Sequence, residues 1–245
     1  TSVTDHWATM TLSGPNSRKL LSEVTDIDLS NEAFPFMTWK EGLVGGVPAR
    51  VFRISFTGEL SYEVNVQADY AMGVLEKIVE AGKQYNLTPY GTETMHILRA
   101  EKGFIIVGQD TDSSMTPDDL NMGWCVGRTK PFSWIGWRGM NREDCVRDQR
   151  KQLVGLKPID PTKWLPEGAQ LVFNTKQAIP MTMVGHVTSS YAHNSLGYSF
   201  AMGVVKGGLN RMGERVFAPL ADGSVIEAEI VSSVFFDPKG ERQNV

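Results

Sequence analysis

The chain has little cysteine, no long apolar run, and almost none of the short signatures that mark common enzymes. Its two cysteines, Cys125 and Cys145, form neither a CxxC pair nor a disulfide framework. That usage points to free thiols in a reducing, cytoplasmic setting. No apolar stretch approaches the ~20 residues that a membrane-crossing helix needs, so no membrane partner is expected. The opening "TSVTDHWATM" lacks the basic start and apolar block of a signal peptide. Basic residues do not dominate: the formal net charge is −4. This argues against broad binding to nucleic acid or to anionic membranes, which favour a basic surface. There is no GxSxG elbow, no HExxH pair and no P-loop. No ~20–50-residue period repeats along the chain.

What is present suits a soluble globular protein of one large or two smaller domains: 245 residues, 41% hydrophobic and 21% charged. "HWATMTLSGPNSRKLLSEV" reads as a strand, a turn and a short helix, with Pro15 suited to a first helical turn. Residues 43–54 and 60–66 read as adjacent strands, with Gly45-Gly46-Val47-Pro48 as a turn. Residues 69–85 read as a helix with Asp69 as N-cap and Met72, Leu75, Ile78 and Val79 as its apolar repeat. A second helix is expected over 92–102, capped by Thr92, with Glu93 at the positive end of its dipole, and stopped at Gly103. Strands alternating with helices point to α+β or α/β organisation up to about residue 145.

The polar run "NREDCVRDQRKQ" (141–152) is the best boundary. Beyond it, short strand-like runs are split by Gly, Pro and Asn turns at roughly 8–12-residue spacing, the mark of a small all-β barrel or sandwich. The predicted fold class is therefore α+β, with domains over 1–148 and 149–245. The chain starts with Thr and runs straight into a strand, so it reads as a piece of a longer protein.

Few constellations suggest chemistry. "GLVGGVPAR" is better read as a hairpin turn than as a dinucleotide loop. His186 and His193 lie seven apart and would face opposite sides of one strand; a shared metal would need a turn between them, and no metal site is expected. "GQDTDSSMTPDD" (108–119) gathers Asp110, Asp112, Asp118 and Asp119. A calcium loop would need a Gly and a closing Glu that are not in place, so solvated turn residues capping a following helix are preferred. In "RISFTGELSYEVNV" (53–66), a strand, a tight turn at Thr57-Gly58-Glu59 and a second strand are expected. Leu60, Tyr62, Val64 and Val66 then face a core, and Glu59 is left to solvent. Glu63 sits mid-strand on the other side, where it is either solvated or faces a pocket. In a pocket, its acceptor-only carboxylate would suit a ligand with several N–H donors along one edge.

The same stretch carries a resemblance. "FTGELSYEVNV" resembles the "YTGExGFEI" hairpin of the folate-dependent aminomethyltransferases, whose archetype is the glycine cleavage T-protein. "GTETMHILRAEKGFIIVGQDTD", "TPDDLNMGWCVG" and "MVGHVTSS" resemble further motifs of that family in the same order. The wording is similar in more detail to the C-terminal folate-binding region of sarcosine oxidase alpha subunits, through "GVPARVFR", "PMTMVGHVTSSY" and "VFFDPKGER". The resemblance implies mixed α/β folate-binding domains followed by a small β-barrel, with the N-terminal part of the fold missing.

It implies tetrahydrofolate as cofactor, with Glu63 on the pterin and Phe56 lining its pocket, as donors and flat faces require. It also implies that a one-carbon unit from a methylated amine is trapped as 5,10-methylenetetrahydrofolate. Flavin and NAD are expected only in other parts of a hetero-oligomeric oxidase, with its other subunits as partners. The family's catalytic Asp is expected upstream of Thr1, so none is assigned here. The family's Arg for the folate glutamate tail is replaced by Met95, and Arg99 reads as structural. A stand-alone aminomethyltransferase or demethylase, or a non-catalytic folate binder, are the alternatives.

Overall fold

The computed structural model describes residues 1–192 and 194–245. The chain divides into two compact units: Thr1–Arg99 with Asp237–Val245, and Ala100–Phe236. The division falls inside a helix, α3 (Thr92–Glu101), numbered after α1 (Ser17–Ser22) and α2 (Ala71–Gly82).

The first unit is built on an antiparallel sheet of β1 (Trp7–Ser13), β2 (Trp39–Val44), β3 (Val47–Phe52) and β4 (Ser61–Gln67), in the order β1-β4-β3-β2. Alternation along β4 decides its faces. Leu60, Tyr62, Val64 and Val66 are all buried, in one core with Val51, Leu12, Phe34 and the α1 residues Leu20 and Leu21. The β2–β3 turn falls at Gly45 and Gly46, whose φ angles of 58° and 79° are those a two-residue hairpin turn of this hand requires.

Two local expectations change. The connection before β4 is no tight turn: β3 ends at Phe52 and β4 begins at Ser61, leaving 53–60 as a loop. Arg53 still exchanges backbone hydrogen bonds with Met37 and Thr38 ahead of β2, and its buried guanidinium donates to the Phe34 carbonyl at 2.7 Å; the chain leaves the sheet after it. The 69–85 helix is also broken into a 3-10 turn at Ala68–Tyr70, then α2, then a 3-10 turn at Lys83–Tyr85. Asp69 lies within the first turn and caps nothing there; Tyr70 holds the cap position of α2. The buried stripe of α2 is Val74, Ile78 and Gly82, while Met72, Leu75 and Val79 are exposed. Both sets repeat at helical spacing, so only packing against the sheet chooses between them. Thr92 opens α3, whose first backbone bond returns to the Gly91 carbonyl.

Among its described residues the second unit holds two short helices, α4 (Trp137–Met140) and α5 (Glu143–Val146), and six antiparallel strands. These are β5 (Lys151–Pro158), β6 (Gln170–Leu171), β7 (Gly185–Tyr191), β8 (Phe200–Lys206), β9 (Arg215–Pro219) and β10 (Val225–Val231), in the order β6-β7-β8-β5-β10-β9. A bridge from Val172 to Phe217 links the two edges, so the sheet nearly closes into the expected barrel rather than a sandwich. Gly185 permits the close approach of β7 to β8, since a Cβ there would lie 1.9 Å from the Val204 carbonyl oxygen. Among the described residues, no helix is long and apolar enough to cross a membrane.

Candidate functional site: an unpaired carboxylate on an aromatic sheet face

Residues directly opposite in an antiparallel ladder share a face. Glu63 stands opposite Thr11 of β1 on one side and Phe52 of β3 on the other. Phe52 in turn stands opposite Trp39 of β2. The Phe52 and Trp39 rings stack with centroids 6.0 Å apart and planes 25° from parallel. A carboxylate and two stacked aromatics therefore form one row across the face that points away from the core, with Trp39 54% exposed.

Several other polar groups of this face have partners, while Thr11 and Gln67 are exposed. Thr9 donates to Asn65 at 2.6 Å, Ser13 and Ser61 hydroxyls bond at 2.8 Å, and Arg50 pairs with Glu41 at 3.0 Å while lying over the Trp7 ring. Glu63 differs. Among the described residues nothing donates to its carboxylate, although it is half-buried. Burial alone pushes its carboxyl up from the ordinary value, since a charge taken out of water with no donor is disfavoured.

Phe56 is half-buried on the 53–60 loop, outside the ladder. Its neighbour Thr57 is buried, with an Oγ1 that has no hydrogen-bond partner among the described residues. The register brings Glu63 together with Phe52 and Trp39, two residues that sequence reasoning missed. Their signal was the register itself: a hairpin turn at 45–46 fixes which residue of β2 faces Phe52. Glu59 is not left to solvent; it pairs with Arg242 at 2.6 Å and is 20% exposed. No local pattern could announce a partner so distant in the sequence.

The Asp-rich loop is committed elsewhere. Asp110 is buried and accepts from the Ile106 N–H at 2.9 Å and from the Thr188 and Ser189 hydroxyls, both at 2.6 Å. Asp119 is buried, closes a capping box with Thr116 over the Pro117–Leu120 turn, and pairs with Arg150 at 2.6 Å. The capping role stands, but Asp110 and Asp119 are not solvated. Asp112 accepts from Ser114, and Asp118 pairs with Arg128. Among the described residues no cluster of His, Cys, Asp and Glu could hold a metal. His193 lies outside the described residues; His186 is half-buried on β7, and burial, with Lys151 nearby, lowers its proton affinity. Both cysteines are free, Arg99 is fully buried, and Met95 lines an apolar groove with Leu75, Val79 and Tyr90.

Residues 1–130 match the GCVT N-terminal domain, and residues 151–237 match the glycine cleavage T-protein C-terminal barrel domain. The chain belongs to the glycine cleavage T-protein family. Along its whole length this family member is 44% and 45% identical to sarcosine oxidase alpha subunits from Corynebacterium strains U-96 and P-1. The chain spans 25% of the length of each of these relatives. The solved glycine cleavage aminomethyltransferase T from Bartonella henselae shares the fold with a TM-score of 0.76 at 24% identity, over 94% of this chain and 59% of that one. These relatives are enzymes, and the T-protein fold with its C-terminal barrel is common to them.

Proposed function

We propose that this chain is the tetrahydrofolate-binding, one-carbon-transfer region of a sarcosine oxidase alpha subunit. The observation that carries the reading is the half-buried Glu63 carboxylate with no donor among the described residues, set beside a stacked aromatic pair. A pterin offers N–H donors along one edge and flat faces, so these residues fit it. The Thr57 Oγ1 beside Phe56, without a partner among the described residues, is a further group that a polar ligand would satisfy. When bound, tetrahydrofolate supplies the nitrogen nucleophiles that trap a methyl-derived iminium or formaldehyde unit as 5,10-methylenetetrahydrofolate.

The chain's own residues bind and orient. Glu63 accepts from the pterin edge and fixes the rotation of the ring; Phe56, Phe52 and Trp39 present apolar walls. Holding the nucleophile in one pose raises its effective concentration toward the arriving electrophile. Proton handling falls to the family Asp expected upstream of Thr1. Flavin and NAD belong to other parts of a hetero-oligomeric, cytoplasmic assembly, and the working division of labour is 1–148 for folate and 149–245 for the barrel. Similarity to sarcosine oxidase alpha subunits across the entire chain favours this over a stand-alone aminomethyltransferase.

Calorimetric titration of tetrahydrofolate into the wild type, Glu63→Ala and Trp39→Ala tests it. Loss of hydrogen bonds to a charged group is expected to weaken binding roughly tenfold to a hundredfold in Glu63→Ala. Loss of an aromatic wall is expected to cost about fivefold in Trp39→Ala. Equal affinity in wild type and Glu63→Ala sinks the assignment.

A further inference from the structure

The loop 53–60, which carries Phe56, lies between two ladder strands but belongs to neither. Inside it, Ser55 Oγ accepts from the Gly58 N–H at 3.0 Å. Its two ends are gripped by the segment Asp237–Val245, which is part of the same compact unit. At the start, the buried Arg53 guanidinium donates from one nitrogen to Phe34 O and from another to Gln243 O at 3.3 Å. At the end, Glu59 accepts from Arg242 Nε at 2.6 Å.

The gripping segment is itself shaped for this. The Asp237 carboxylate accepts from the N–H groups of Glu241 and Arg242 at 3.0 and 3.2 Å, closing a turn that presents the Arg242 side chain. Gln243 is buried in the 3-10 turn Glu241–Gln243, and Arg18 of α1 holds the Val245 carbonyl at 2.6 Å.

We infer that the segment 237–245 is a brace that positions the 53–60 loop, with Arg242 and Glu59 as positioning residues for the ligand pocket. The inference rests on the folate reading for what the pocket holds. Their inferred role needs no contact with the ligand: Glu59 lies in the loop and, paired with Arg242, fixes where Phe56 and Thr57 sit. This gives the "TGE" carboxylate a task distinct from that of Glu63. One carboxylate reads the ligand, and the other anchors the wall beside it.

Arg242→Glu, Glu59→Arg, the double charge swap and Arg242→Lys, made in the intact polypeptide, separate the possibilities. Two readouts are needed: hydrogen exchange of the 54–60 amides without ligand, and tetrahydrofolate affinity. In each reversed single variant, loop exchange should rise and affinity should fall by about fivefold, the scale of one partly exposed ion pair. Exchange in the β4 core should stay unchanged. The double swap and Arg242→Lys should restore both. Unchanged loop exchange in the single variants, or a double swap that restores nothing, overturns the brace. Faster loop exchange that the swap repairs, in a protein that never binds tetrahydrofolate, supports the brace and overturns the folate reading instead.

Discussion

Two carboxylates, one in each unit, occupy opposite settings. Asp119 is buried among donors: Arg150, the Thr116 N–H and the Thr116 hydroxyl all reach it. Glu63 is half-buried on an open sheet face and has none among the described residues. The contrast extends to the strands around them. In the barrel unit β8 is buried on both sides along most of its length, whereas β4 buries one side and offers the other. A folded chain satisfies its buried charges where they serve structure. On the function proposed above, a carboxylate partly removed from water with no donor among the described residues marks the stability that a binding site costs the free protein.

The comparison breaks most visibly at Asp119. Removing one partner of a buried ion pair leaves the other stranded, so Asp119→Ala should lower unfolding free energy by roughly 3 kcal/mol. Urea titration would measure it, and a loss no larger than that of an exposed pair would contradict the structural role. Glu63 should behave oppositely. Its folded-state proton affinity is raised by burial, so the folded protein binds more protons than the unfolded one just above the ordinary carboxylate range. Stability therefore declines as pH rises through that window. Glu63→Gln should remove this decline and leave the protein at least as stable as wild type at neutral pH. A Glu63→Gln protein that is less stable at neutral pH would assign Glu63 to structure.

Much of this was legible in the residues. Strict alternation in "LSYEVNV" gave the core face of β4 and put Glu63 on the other side, solvated or in a pocket; the family resemblance, not the spacing, singled it out. The spacing of turn residues after 150 announced a small all-β barrel or sandwich, and the resemblance chose the barrel. What could not be read had physical reasons. In α2, two apolar stripes compete and only the sheet beneath selects Val74 and Ile78 over Met72, Leu75 and Val79. The 53–60 loop looked like a tight turn because "TGE" is turn chemistry, yet a buried Arg53 and a distant Arg242 hold it open. Phe52 and Trp39 became visible as neighbours of Glu63 only once strand register was known.

The central claim is that Glu63 waits for a donor-rich ligand edge. The most direct measurement follows the Glu63 side-chain carboxyl carbon by NMR through a pH titration, with and without saturating tetrahydrofolate. Without ligand, the carboxyl should titrate above its ordinary value. With ligand, N–H donors stabilise the ionised form, so the midpoint should move down, and binding should weaken as the pH falls through it. A midpoint that saturating tetrahydrofolate leaves unmoved would contradict the account.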